Sequence, residues 1–175
     1  MIPLPDPPLL GEGFVLRGWT DADQAAYRDA MRDPENIRRL NDYSDETAAD
    51  IEALRVSGTM LVLAIADARS DAFLGFVALI PKEWRSAELA YMVVPAARGR
   101  GLAHRAIRLL GDWAFRELSL GRLQLRIAPD NEPSIRVARR CGYTFEGVMR
   151  SSFELRGRRL DSGLWSLLPT DPRPE

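Results

Sequence analysis

A chain of 175 residues, 46% hydrophobic and 28% charged, has enough apolar material for one domain with a sizeable core. Its formal net charge of −1 gives no general electrostatic pull toward nucleic acid or an anionic membrane. Cys141 is the only cysteine, which excludes an internal disulfide and fits a reducing cytoplasm, and no apolar stretch approaches the ~20 residues of a membrane span.

Residues 1–8 lack the basic region and apolar run of a signal peptide, and the prolines at both ends predict loose tails around a core of about residues 10–168. Residues 14–19 read as a first strand. Thr20 is placed to cap a helix carrying Ala22, Ala25, Ala26, Tyr27 and Met31 that ends near Pro34, and Ser44 to cap a second helix through Ile51 and Leu54. Residues 60–66 and 73–80 read as strands joined by a polar turn. Residues 87–94 are apolar on both faces beyond Glu88, as a central strand requires. From Leu102 the period becomes helical, with Leu102, Ala106, Leu109, Leu110, Trp113 and Ala114 on one face. Residues 123–128 form the next strand. A short helix then begins at Asp130-Asn-Glu-Pro133 and stops at Gly142, and two strands, 143–149 and 162–168, close the chain across Arg156-Gly-Arg-Arg159. This order predicts one domain spanning 1–175, of α/β (α+β) class, with a mixed sheet and helices on both faces.

The most informative segment is Tyr91 to Ala103, where a strand breaks at Pro95 and turns into a helix through Arg98-Gly99-Arg100-Gly101. Two glycines flanking one arginine let successive main-chain N–H groups converge on one point, to which the helix start adds its positive dipole end. Such a nest suits a diphosphate, and the arginines supply opposite charge. The plain alternative is an ordinary strand-to-helix turn. A phosphate-loop nucleotidase is a poor fit, because no Gly-Lys-Ser/Thr follows the glycines.

Arg98-x-x-Gly101-x-Ala103, followed by Asn131-x-x-Ser134 and Cys141-Gly-Tyr-Thr-Phe-Glu-Gly147, resembles the acetyl-CoA-binding pattern of the GCN5-related N-acetyltransferases (GNAT). Ala87-Glu-Leu-Ala-Tyr91 and the closing Leu164-Trp-Ser-Leu-Leu168 are similar to the subgroup that acetylates N-termini of ribosomal proteins, the RimJ/RimL-like enzymes. The resemblance spans about residues 10–168. It implies an acyl-CoA N-acyltransferase fold, with a mostly antiparallel sheet and splayed central strands. It also implies acetyl-CoA as donor, no metal, and a primary amine as acceptor. That acceptor is a protein N-terminus or, alternatively, an aminoglycoside, polyamine or amino-acid derivative. A homodimer and a non-catalytic acyl-CoA-binding module both stay open.

The resemblance also assigns roles. Main-chain groups of Arg98, Gly99, Arg100, Gly101, Leu102 and Ala103 would cradle the pyrophosphate, and those of Met92, Val93 and Val94 would pair with the pantetheine arm. Asn131 would bond that arm, although it is equally placed as a helix cap. Ser134 would donate to the departing thiolate, or else simply pack. Many family members carry a tyrosine acid seven residues after the asparagine; here that position is Ala138. Glu88 is the candidate base, against the alternative of a charge at the strand's solvated end. Tyr91 reads as core or cleft wall, Trp84 as acceptor wall or surface-packed aromatic, and His104, which alone cannot form a metal site, as solvent-facing rather than catalytic. The acidic residues Asp42, Asp45, Glu46 and Asp50 fall where the family shapes its acceptor mouth; a solvated helix face explains them equally.

Overall fold

The computed structural model describes residues 1–40 and 46–174. Five strands run antiparallel in sequence order: β1 (Leu9–Gly11), β2 (Phe14–Gly18), β3 (Leu61–Asp67), β4 (Phe73–Lys82) and β5 (Ser86–Val93). Next comes β6 (Arg122–Ile127), parallel to β5, and then the hairpin of β7 (Thr144–Leu155) and β8 (Arg158–Leu167), with β8 inside and β7 at the edge. This is the mixed, mostly antiparallel sheet expected.

Helices cover both faces. On one lie α4 (Leu102–Glu117) and α5 (Glu132–Arg140). The buried stripe Ala106, Ile107, Leu110, Trp113 and Ala114 of α4 joins the inward residues of the central strands, Leu123 and Leu125 of β6 among them, in the main core. The other face carries α1 (Asp21–Ala30), followed by the short α2 (Pro34–Arg39), and α3 (Ala48–Ser57) then leads into β3. There Tyr27, Ala30 and Met31 bury against Ala64, Phe73 and Met92. Strand alternation therefore places the even-numbered side chains of β5 toward α1 and the odd-numbered ones toward α4.

Four local expectations are corrected. The first helix stops at Ala30, and Pro34 begins α2 instead of ending α1. Asp33 caps α2 by accepting the Asn36 N–H at 3.2 Å, and a proline in the first turn loses no needed donor. The cap of α3 is Thr47, whose hydroxyl accepts from the Asp50 N–H in a reciprocal capping box; Ser44 lies outside the described residues. β1 precedes the strand expected to be first. The tails are docked rather than loose. Ile2 is buried, its N–H donates to the Arg55 carbonyl at 3.0 Å, and Arg108 Nη1 donates to the Pro174 carbonyl at 2.8 Å. Among the described residues no helix is long and apolar enough to cross a membrane.

Candidate active site

β5 and β6 are paired only at Ser86–Arg122, Ala87–Leu123 and Glu88–Gln124, after which they diverge. The splay opens a V-shaped gap in the middle of the sheet. Its β5 lip exposes alternate main-chain groups. The Val94 N–H donates to the Leu74 carbonyl at 2.9 Å, so by antiparallel alternation Met92 and Val94 turn their main chain toward β4. The groups facing the gap belong to Leu89, Tyr91 and Val93. Of the three main-chain positions expected to pair with the pantetheine arm, Val93 thus faces the gap, whereas Met92 and Val94 face β4.

At the wide end of the gap a single 3-10 turn, Pro95–Ala97, leads into the nest. Gly99 and Gly101 have φ of +77° and +68°, the left-handed region, and a Cβ at either would meet no atom of the described residues within 4 Å beyond its chain neighbours. Gly101 caps α4, and among the described residues no side chain caps the first-turn amides of Leu102 and Ala103. Arg100 is exposed beside them. The Arg98 side chain goes elsewhere. Its Nη2 donates to Asp33 Oδ1 and to Asn36 Oδ1, both at 2.8 Å, and its Nε to the Val93 carbonyl at 3.2 Å. Arg98 thus fastens α2 to β5, and its guanidinium holds the Asp33 carboxyl below the usual carboxylate range.

On the α5 side, Asn131 Oδ1 caps the helix by accepting the Ser134 N–H at 3.3 Å. Ser134 stands beside the Tyr91 phenol. Among the described residues that phenol has no hydrogen bond of good geometry, and burial pushes its pKa up to about 12 although Ser134 works in the opposite direction. Ala138 is fully buried packing. Burial likewise pushes the Cys141 thiol up to about 12, which makes it a poor nucleophile. His104 is partly buried rather than solvent-facing. Its Nε2 lies 3.2 Å from the Arg140 carbonyl, and burial, followed by the nearby Arg140 charge, holds its pKa below the ordinary value.

The opposite face presents Glu88 at the vertex of the gap. It is not at a solvated strand end: only 7% of the residue is exposed. Arg126 Nε donates to Glu88 Oε1 at 2.9 Å, while Lys82 Nζ lies 3.4 Å from Oε2. The same face of β6, β8 and β7 continues as a polar surface. There Arg122 Nη2 donates to Glu146 Oε2 at 2.7 Å and the Ser166 hydroxyl donates to Glu146 Oε1 at 2.6 Å, holding the Glu146 carboxyl down at about 2. An open cavity of about 720 Å³ adjoins it, lined by Pro81, Lys82, Glu83, Trp84, Ser86 and Gln124. Trp84 is 92% exposed, so it is not a surface-packed aromatic. Of the acidic cluster, Asp42 and Asp45 lie outside the described residues. Glu46 is partly buried, which raises its pKa, and Asp50 serves the α3 cap.

The two candidate catalytic residues therefore flank the gap, Ser134 from the α5 face and Glu88 from the other. The sequence reading missed Arg126. The alternation Arg122, Gln124, Arg126 along β6, which puts a guanidinium on one face two residues beyond Gln124, was the available signal. It also missed α2, which reaches both lips of the gap: Arg98 ties it to β5, and Arg39 Nη1 donates to Asp130 Oδ1, just before α5, at 2.6 Å.

Comparisons with known proteins agree with this geometry. A family model described as an acetyltransferase (GNAT) domain matches residues 14–144. The uncharacterized N-acetyltransferase p20 of Bacillus licheniformis is 28% identical over 156 residues, covering 86% of this chain and 83% of that protein. The spermidine N(1)-acetyltransferase of Escherichia coli K12 is 35% identical over 74 residues, 42% of this chain and 40% of that protein. The ribosomal-protein-S5-alanine acetyltransferase structure from Vibrio fischeri superposes with a TM-score of 0.79 at 19% identity, covering 95% of this chain and 99% of that one.

Proposed function

The chain belongs to the GNAT acetyltransferase family, and from that premise we propose that it moves the acetyl group of acetyl-CoA onto the α-amine of a protein N-terminus. The observation that carries this reading is the three-pair limit of β5–β6 pairing, which opens a gap with an anion nest on one side and a buried carboxylate on the other. The donor fits the residues present. Amides of residues 98–103, with Arg100 beside them, suit the diphosphate, and the gap-facing main chain of Leu89, Tyr91 and the Val93 N–H suits a peptide-like arm, the Val93 carbonyl already accepting from Arg98. The Asn131 side-chain NH₂ is not used by its cap and adds a donor at the mouth.

Attack is direct. Glu88 takes a proton from the incoming amine through a water, the N–C bond forms, and the C–S bond breaks. Ser134 gives a hydrogen bond to the leaving thiolate, whose ordinary pKa near ~8.5 makes modest help sufficient. Cys141 has no part. The open polar surface beside Glu88 favours an extended peptide over an enclosed small amine. A polyamine acceptor is the second reading, favoured by the likeness to spermidine N(1)-acetyltransferase.

Incubation with labelled acetyl-CoA, a panel of N-terminal peptides and spermidine separates the two. Label on peptide α-amines is the expected result. Label on spermidine alone replaces this reading with the second, and label on no amine refutes both.

A further inference from the structure

The Glu88 carboxylate is held asymmetrically. Oε1 accepts the Arg126 Nε–H at 2.9 Å, whereas Oε2 is buried and accepts no hydrogen bond among the described residues. Lys82, from β4, is the second cation facing it, 3.4 Å from Oε2 but without hydrogen-bond geometry. A buried carboxylate oxygen lacking a donor is costly, and the cost is recovered by whichever N–H or O–H next reaches it.

Arg126 is itself fixed from a third strand. Its Nη1 donates to the Ser152 carbonyl at 3.3 Å, and its guanidinium carbon lies 5.9 Å from the centre of the Phe153 ring. Ser152 belongs to an irregularity in β7, where the register with β8 shifts between Met149 and Phe153. Ser151 there adopts φ +53°, an unfavourable conformation for a residue with a Cβ. The irregularity is secured by Asp161 Oδ1 accepting the Ser151 N–H at 2.8 Å, and by the Ser152 and Ser162 hydroxyls 2.7 Å apart. Bulges of this kind re-aim groups beside active sites. Here the re-aimed group is a carbonyl, and it lands on the arginine that grips Glu88.

We propose that Arg126 is the positioning residue for amine transfer: anchored by the β7 bulge, it engages one Glu88 oxygen and reserves the other for the proton of the incoming amine. This rests on the reading of Glu88 as base. The role differs from simple charge neutralisation, because the guanidinium reaches Oε1 and the Ser152 carbonyl from two separate nitrogens, Nε and Nη1, held in one plane, and the single nitrogen of an ammonium does not reproduce that fork.

The test compares Arg126→Gln, Arg126→Lys and Glu88→Gln in the full chain, with the acceptor identified by the labelling experiment. Arg126→Gln is expected to lower kcat by ten-fold or more while the acetyl-CoA dissociation constant stays within two-fold; Arg126→Lys should fall between it and the parent. The loss should fall on kcat while the acceptor KM stays within two-fold, and adding Arg126→Gln to Glu88→Gln should cause no further loss. Parental kcat in Arg126→Gln, or an undiminished further loss in the double variant, overturns the inference. If Arg126→Gln does not fold, parental kcat in Arg126→Lys overturns it equally. Full activity in Glu88→Gln instead removes the base reading on which it stands.

Discussion

Replacing Gly101 by leucine tests the nest directly. The glycine sits at φ +68°, and a Cβ added there would have no atom of the described residues within 4 Å beyond its chain neighbours, so the substitution meets no clash in the folded chain. What it meets is left-handed strain, about 1–2 kcal/mol for a residue with a Cβ. In a domain of this size that lowers the melting temperature by roughly 2–8 °C. The effect on coenzyme A should be larger than the effect on folding. The new side chain adds bulk at the residue immediately before the uncapped amides of Leu102 and Ala103. Losing even one hydrogen bond to a charged phosphate costs about 1.5–3 kcal/mol, or about ten- to 150-fold in affinity. Gly157 supplies the control: it lies in the β7–β8 turn at φ +74°, with equally open surroundings. Calorimetric titration of coenzyme A into the parent, Gly101→Leu and Gly157→Leu should therefore show similar melting shifts in both variants and weakened binding only in the first. Folded Gly101→Leu that binds coenzyme A within two-fold of the parent refutes the assignment of the diphosphate to this bend.

Two further outcomes are expected. The Arg122 guanidinium, and after it the Ser166 hydroxyl, lowers Glu146 from the ordinary 4.5 to about 2, so the stabilisation is complete above about 4.5 and disappears as pH falls through about 2. Urea melts between pH 6 and 2.5 should then show Glu146→Gln less stable at the upper end and converging with the parent at the lower; a constant difference contradicts the pairing. The Cys141 thiol, raised to about 12 by burial, should react with a disulfide reagent only as the chain unfolds, and Cys141→Ala should retain acetyl transfer. Rapid labelling of the native chain, or loss of turnover in that variant, would show the thiol to be accessible or required.

Much of the site was legible because its signals are local. Gly99, Gly101, Pro95 and the Asn131–Ser134 cap each act within a few residues of themselves, and each stands where the pattern placed it. Glu88 shows the other case. Its parity along β5 was readable, but its burial depends on Arg126, 38 positions later and brought alongside only by the parallel pairing of β5 with β6. The main-chain parity of Met92 to Val94 was hidden for a similar reason, since which edge of a strand is free follows from its register with β4. Pro34 misled because a proline both ends helices and begins them, and only the Asp33 cap decides between the two. The N-terminal tail looked loose because its anchoring comes from Arg55, on a helix far along the chain; Arg55 Nη1 donates to the Ile2 carbonyl at 2.7 Å.

The short helix α2 acts as a bridle across the mouth of the gap. One end is pinned through Asp33 and Asn36 to Arg98, and the other through Arg39 to Asp130. Spreading the lips of the V must strain one of these attachments. The Arg98–Asp33 pair and the Asp130 carboxylate are partly open to water, so dissolved ions loosen the bridle more readily than they loosen the core beneath it. Ionic strength therefore bears on a few exposed pairs at the mouth of the gap rather than on the buried strands beneath them.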